Sequence, residues 1–562
     1  MTNFRSIGER VELAFPTKGP LVLLGPNNAG KSNLVRAVEL VLGDRWPGSF
    51  EPEDHDLHGR SREAVPMRVT VELDEAFVPV KDGFFEVSEL AWRYDPDDER
   101  PILFEMVAPD GSRRWANSEA RDQCFCMVVG ADRRLHYQLS YTSKYTLLSR
   151  LMRRFHAALV DDEERVSRLR DLFEDVVKTF YEVEPFAKFS TDLKESAASF
   201  AANLEYRLDL DFSAYDPSNF FHSLRVHPLA GGVVRTFQEL GTGQEQILAL
   251  AFAYAYGAAF GAGGDAGLLL VIEEPEAHLH PLAQQWLGRH IHALADTGVQ
   301  VLVTTHSPAF VEVEHLDGLA LVTKSSEQSA TRATQRSPTS LAEFCNDHGA
   351  AGKATPGTVL PFYAASATEG IIRGFFARCC VLVEGPTESF ALPTLLRRAG
   401  IDLLEHGIDV IAVGGIGNLA RWWRLFRAYD IPVFVVFDRD SDDDESGARR
   451  ADLAGTLGVE VAALETETSG SALAVLPTYA VFAPAFEQSM RTLFPTNFGD
   501  LAGRGRERLG GSKVLCARYA VERLPLDHDA DGWRLVRELG AAIMAVANAN
   551  PDATDSVGND AA

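Results

Sequence analysis

The chain is poor in cysteine: Cys124, Cys126, Cys345, Cys379, Cys380 and Cys516 are its six in 562 residues. Their close pairs read C-x-C and C-C, not C-x-x-C, and no histidine cluster sits beside them. That excludes a zinc finger and a disulfide framework, and leaves reduced, mostly buried thiols. No apolar run reaches the roughly 20 residues of a membrane-spanning helix. The longest, Ile247–Phe260 and Leu268–Ile272, are too short or broken by glycine. The opening MTNFRSIGER lacks the basic-then-apolar order of a secretory leader. These absences predict a cytoplasmic location with no membrane partner. Positive charge is scarce too: 54 Lys and Arg stand against 80 Asp and Glu, a net charge of -26. That balance argues against a broadly basic nucleic-acid binder. It leaves room for local basic patches, and for carboxylate sites whose charge a divalent metal reverses.

What is present suits several buried cores, with 46% hydrophobic and 24% charged residues. Val11–Leu24 alternates and then runs apolar, which predicts strands. A glycine-rich loop, Gly25–Ser32, follows, and then a helix over Asn33–Leu42. Met67–Leu73 and Phe125–Val129 read as further strands. Between Lys144 and Leu208 the periodicity becomes helical and highly charged. This block is either an inserted arm or dimerisation surface, or a set of helices packed on the same core. Strands resume at Leu268–Ile272 and Val299–Thr304, and Thr323–Thr358 has the composition of a linker. From Arg378 the pattern is strand, helix, strand, helix, strand: Cys379–Val383, Glu388–Ala399, Asp409–Val413, Leu419–Tyr429 and Val433–Phe437. Such alternation implies a parallel α/β sheet. The expected division is a first α/β domain in two parts, 1–143 and 216–322, with a helical insertion at 144–215. A linker at 323–377, a second α/β domain at 378–548 and a disordered tail at 549–562 complete it.

Gly25, Pro26, Asn27, Asn28, Ala29, Gly30, Lys31 and Ser32 fit G-x-x-x-x-G-K-[ST] between a strand and a helix. Glycines let the backbone curl its N–H groups towards phosphate oxygens, and the helix adds the positive end of its dipole. Lys31 is expected on the β- and γ-phosphates of ATP and Ser32 on Mg²⁺. Downstream, Leu268–Ile272 ends in two carboxylates. Glu273 is assigned to the metal, and Glu274 to polarising the attacking water. His306, after the strand Val299–Val303, is placed to project towards the γ-phosphate. Gly241, Gly243 and Gln244 open an apolar helix, Ile247–Ala258, as a second anion-binding start.

A second cluster lies in the later domain. Val381–Val383 runs into Glu384-Gly385, with Glu388 opening the next helix, and Val433–Phe437 runs into Asp438-Arg439-Asp440. Neighbouring parallel strands bring such ends to one sheet edge. Glu384, Glu388, Asp438 and Asp440 are hard oxygen ligands suited to Mg²⁺, with Mn²⁺ as the alternative. Two such ions clamp the attacking and leaving oxygens of a phosphodiester. The run Asp442–Glu445 reads as a solvated acidic loop.

The order GPNNAGKS, LGTGQEQ, LLLVIEEPEAHLHP and TTHS resembles the ABC-type ATPases of the SMC-like group, and Asn3-Phe4-Arg5-Ser6 resembles that group's N-terminal strand. In that group the signature segment of one subunit closes the nucleotide site of another, which implies a homodimer or higher oligomer here. The signature reads GTGQ where transporters have SGGQ, Glu273 stands where many relatives have Asp, and Asp54–Gly59 offers no Q-loop glutamine. The second cluster resembles a Toprim domain, and its E-G-x-x-E form is similar to nucleases more than to topoisomerases. Gly414–Asn418 matches the same style. The resemblance adds Glu487 as a metal ligand and Lys513 as the basic residue that stabilises charge on the scissile phosphate. In order, the two halves resemble the OLD (overcoming lysogenization defect) nucleases, which include the Gabija nuclease subunit. The resemblance implies an ABC-type P-loop ATPase with a helical insertion, followed by a Rossmann-like Toprim domain. It also implies ATP, divalent metal and DNA as ligands, an ATP-regulated endonuclease or nickase in defence against phage, and a co-encoded defence protein as a further partner. The alternative is an ATP-dependent DNA-binding scaffold or repair ATPase whose Toprim part does not cut.

Overall fold

A computed structural model of the chain describes residues 1–63, 65–79, 84–130, 161–200, 267–277, 279–325, 330–439, 447–462, 470–527 and 530–549, with single positions between 146 and 159 and between 229 and 255. In the first half, β1 (Leu21–Leu24) leads through the glycine-rich loop into α1 (Lys31–Leu42). Four antiparallel strands follow: β2 (Met67–Phe77), β3 (Val87–Tyr94), β4 (Ile102–Val107) and β5 (Arg113–Trp115). After α2 (Ser118–Gln123) and β6 (Cys124–Val129) come two long helices, α3 (Glu163–Tyr181) and α4 (Glu184–Phe200). Then β7 (Gly267–Glu273), α5 (Pro281–Ala295), β8 (Gln300–Thr304), β9 (Leu319–Lys324) and β10 (Thr331–Gln335) complete the main sheet. Its order is β10-β9-β1-β8-β7-β6, parallel except for the β9–β10 pair. β7 carries five consecutive buried apolar residues, Leu268–Ile272. A parallel strand covered on both faces requires such a run in place of alternation.

The second half opens with α6 (Pro338–Cys345) and α7 (Pro356–Ser366). β11 (Cys379–Val383), α8 (Pro386–Arg398), β12 (Ile408–Ala412), α9 (Ile416–Ala428) and β13 (Val433–Asp438) form parallel units. Beyond them lie α10 (Ala448–Leu457), β14 (Leu473–Val475), β15 (Tyr479–Phe482), α11 (Phe486–Leu493), α12 (Phe498–Leu509), α13 (Lys513–Arg523) and α14 (Asp531–Asn548). The five-stranded sheet has the order β12-β11-β13-β15-β14. Among the described residues no helix is long and apolar enough to cross a membrane. Five cysteines are buried and Cys124 is half-buried, all as free thiols.

Three expectations are corrected. Val11–Pro20 forms no strand; Ala14 instead accepts from and donates to the Gln335 side chain at 2.7 and 3.0 Å. The alternation of Val11, Leu13 and Phe15 reflects one-sided packing of an extended segment on the core. Asn3–Ser6 is a tight turn with positive φ at Asn3 (56°) and Arg5 (53°), held by isolated bridges such as Phe4 to Leu57. The expected linker at 323–377 is folded, since it holds β10, α6 and α7, with Leu341, Val359 and Tyr363 in the core. Part of its Ser and Thr content serves helix starts: Ser337 caps α6 and Thr355 precedes α7. Of the expected tail, residues 550–562 lie outside the described residues, as do 201–215 of the expected insertion.

One continuous apolar cluster runs from the main sheet (Leu270, Val303, Leu321) to the second half (Tyr363, Phe375, Trp422, Phe426, Tyr429). Fully buried Tyr429, just past α9, donates its hydroxyl to the carbonyls of Leu316 and Leu319 at 3.3 and 3.5 Å. Arg336 Nε donates to Ala428 O at 2.5 Å, and Thr334 Oγ1 to Asp430 Oδ2 at 3.0 Å. Replacing Tyr429 by Ala opens this seam and is expected to cost about 3–5 kcal/mol, whereas Tyr429→Phe costs about 1 kcal/mol. Denaturant unfolding followed by tryptophan fluorescence measures both, and the larger loss should weaken both halves together.

Candidate functional site

The glycine-rich loop is built as its motif requires. Gly25 has φ 134° and Gly30 φ 111°, and a Cβ on Gly25 would meet Val322 O at 2.1 Å. Only glycine fits there. Around Gly30 a hydroxyl chain fixes the loop. Asn33 Nδ2 donates to Ser6 Oγ at 2.6 Å, Ser6 Oγ pairs with Thr331 Oγ1 at 2.7 Å, and Thr331 Oγ1 donates to Ala29 O at 2.9 Å. The N-terminal turn and β10 thus brace the start of α1. Pro26, Asn27, Asn28 and Ser32 are exposed, whereas Ala29 is buried.

Lys31 is 6% exposed, and its ammonium donates to Gly25 O (2.8 Å), Pro26 O (3.1 Å) and His306 Nε2 (3.0 Å). An ammonium can only donate, so His306 Nε2 accepts and its ring proton sits on Nδ1. Burial lowers Lys31 to about 8, against the pull of Glu274 and Glu276. His306 is lowered by burial and by Lys31, which keeps the imidazole neutral. A buried cation beside an exposed loop at a helix start fits the phosphates of a nucleotide. Lys31 and the loop would hold them, and Ser32 would hold their metal ion.

Glu273 ends β7, beside β8. Glu274 has φ 48°, and its N–H donates to Thr304 O at 2.9 Å. A left-handed non-glycine residue costs about 1–2 kcal/mol, and such strain gathers at functional sites. The Glu274 side chain is 53% exposed and 3.9 Å from His306 Nε2. Glu276 was not singled out from the sequence. Its Oε1 accepts from His306 N–H at 2.5 Å and its Oε2 from Thr305 Oγ1 at 2.8 Å. It therefore fixes the loop that carries His306. The available signal was a third carboxylate in the turn after β7, next to the strand that ends in Thr304. Gln244 is exposed; Gly241 and Gly243 lie outside the described residues, and the described positions of Ile247–Ala258 are helical.

The second centre sits at the carboxyl edge of the five-stranded sheet. Glu384 follows β11, and its Oε1 accepts from Asp438 N–H at 2.9 Å at the end of β13. The Gly414 and Gly415 N–H groups donate to Glu384 O at 3.0 and 2.8 Å, so the turn after β12 holds this backbone. Glu388, 8% exposed, accepts from Gly385 N–H at 3.1 Å. Asp438 Oδ1 accepts from Phe486 N–H at 3.0 Å, at the start of the helix that bears Glu487. Burial, then Glu388, Glu384 and Glu487, push Asp438 up to about 8. Burial, with Glu384 and Glu487, pushes Glu388 up to about 7. Glu388, Glu384 and Glu487 thus act together on the partly buried Asp438, and their oxygens are a donor set whose chemistry suits hard divalent cations. Lys513 is exposed in the first turn of α13 and makes no ion pair among the described residues. Asp440 and the run Asp442–Glu445 lie outside the described residues.

Two family models match the chain, one in each half. Residues 21–312, just over half of the chain, match the model described as AAA domain, putative AbiEii toxin, Type IV TA system. Residues 375–440 match the Overcoming lysogenization defect protein-like TOPRIM domain. The chain belongs to the OLD nuclease family. An OLD nuclease of Thermus scotoductus is 26% identical over 458 residues, 78% of this chain and 80% of its own length. The Old nuclease of Escherichia phage P2 is 27% identical over 173 residues, 31% of this chain and 28% of its own. An SMC head bound to the C-winged helix domain of ScpA aligns over 60% of this OLD-family chain and 95% of its own, at 17% identity and TM-score 0.32.

Because Glu276 acts through the His306 loop, Glu276→Ala is expected to lower kcat for ATP on the order of 100-fold, as misplaced catalytic groups do, with KM little changed. Steady-state ATPase kinetics separate the two.

Proposed function

We infer that this OLD-family protein, an ATPase and nuclease by family, cuts DNA endonucleolytically at the Glu384/Glu388/Asp438/Glu487 centre in a divalent-metal-dependent reaction governed by ATP. The observation that carries the reading is the convergence of those carboxylates, with Asp438 N–H on Glu384 at 2.9 Å. They would hold Mg²⁺ or Mn²⁺, which supplies Lewis-acid activation of a phosphodiester. Asp440 and Lys513 join them in the proposal, Lys513 as the group that meets phosphate charge. In the first centre Glu274 is the candidate base and Glu276 positions His306.

The apolar seam through Tyr429 supports control by ATP, because a shift of the His306 loop and the segment after it reaches the second half through packed side chains. The site would be completed in a homodimer by Gly241, Gly243 and Gln244 of a second copy. α3 and α4 leave Leu172, Val176 and Phe189 more than half exposed, which suits a dimerisation arm. Defence against phage or other foreign DNA, with a co-encoded protein as a further partner, is the biological role proposed.

Supercoiled plasmid incubated with Mg²⁺ or Mn²⁺, with and without ATP, tests the assignment. Wild type should nick or linearise it, Glu384→Ala and Asp438→Ala should not, and Lys31→Ala should lose only the ATP response. Cutting by both carboxylate variants at the wild-type rate overturns the metal centre. Glu388→Gln relieves the repulsion and should raise thermal stability in EDTA. The same change should remove the stabilisation by Mg²⁺, which is about 2.7 kcal/mol at a hundredfold excess over Kd. Thermal melts with and without Mg²⁺ read both effects.

A further inference from the structure

A third cluster lies away from both centres. His292, in the last turn of α5, meets Glu312, which precedes the short 3₁₀ turn Val313–Gly318 that leads into β9, and His315 within that turn. One ligand atom from each lies within 4.8 Å of the other two. Glu312 Oε2 is 3.5 Å from His292 Nδ1 and 3.9 Å from His315 Nε2. These distances are too long for hydrogen bonds. They are close to the spacing of about 3.3 Å between neighbouring ligands around a tetrahedral ion with bonds near 2.0–2.1 Å. Both ring nitrogens of His292 are shielded from solvent and have no hydrogen-bond partner. Leaving a buried polar group unmet is costly. The turn at Gly19 covers the two rings, since a Cβ there would lie 3.3 Å from His292 Nδ1 and from His315 Cγ. The side chains of His315 and Glu312 are about a third exposed, at 32% and 36%, so an ion could enter from that side.

We propose that His292, Glu312 and His315 form a binding site for one borderline divalent transition-metal ion, zinc first. Two imidazoles and a carboxylate favour Zn²⁺, Co²⁺ or Ni²⁺ over Mg²⁺, and water fills the fourth position. The ion ties the end of α5 to the segment between His306 and β9. That segment carries Leu316 and runs into Leu319 at the start of β9, and the carbonyls of these two residues receive the Tyr429 hydroxyl. It therefore acts as a clamp on the side of the ATPase half that meets the second half. This proposal does not depend on the cutting reaction.

The test uses the full chain, stripped with chelator and returned to excess Mg²⁺, which occupies the hard carboxylate sites. Zn²⁺ affinity is read by competition with a chromophoric chelator, and Co²⁺ by its visible absorption. Wild type and Glu384→Ala should bind one tight Zn²⁺ and give a tetrahedral Co²⁺ band. His292→Ala and His315→Ala should lose the band and weaken Zn²⁺ binding by more than the about 10–100-fold that loss of an outer-shell partner costs. Glu312→Gln, which preserves shape, should weaken binding in the same direction and guards against misfolding of a histidine variant. Equal Zn²⁺ affinity and an unchanged Co²⁺ spectrum in all three variants overturn the proposal.

Discussion

The crowding of like charges at the edge of the five-stranded sheet governs the second half of the molecule. Glu388 and Asp438 are held in a pocket that raises both, at about 7 and about 8, by burial and by their neighbours. Such repulsion is tolerated only on a rigid frame. β11 and β13 supply it as fully apolar parallel strands, with Cys379–Val383 and Val433–Phe437 all buried. Main-chain N–H groups of Asp438, Gly385 and Phe486 then fix the carboxylate oxygens. A divalent cation among the oxygens, as proposed, would offset that repulsion. A chain with a net charge of -26 would meet DNA at such a place if divalent ions, as proposed, supply positive charge there.

The first half solves the opposite problem, a cation awaiting phosphates. Lys31 is held by loop carbonyls and a neutral His306, and Glu276 sets the position of that histidine. The two centres share one apolar seam, so the halves are not beads on a linker. Tyr429, Arg336 and Thr334 stitch β9 and β10 to the end of α9. Motion at the His306 loop therefore has a packed route to the second sheet.

Much of this was legible in the sequence. Apolar runs ending in acids, LLLVIEE and VFVVFD, marked strands whose tips meet at a site, because parallel topology gathers strand ends. The phosphate loop was readable from its motif spacing, Glu384, Glu388 and Asp438 from the strand ends, and Glu487 came through the family likeness. Glu276 was not readable, since its role depends on which backbone N–H the neighbouring strand presents. The fold of 323–377 was hidden because Ser and Thr that cap helices look like linker composition. The His292, Glu312 and His315 cluster was invisible because its members are up to 23 residues apart and meet only through packing.

The most direct measurement of the central claim is an anomalous-scattering map from crystals of the full chain grown with Mn²⁺. The account predicts peaks within bonding distance of Glu384, Glu388, Asp438 and Glu487, lost in Asp438→Asn along with plasmid cutting. An active enzyme with no Mn²⁺ at these carboxylates would contradict it.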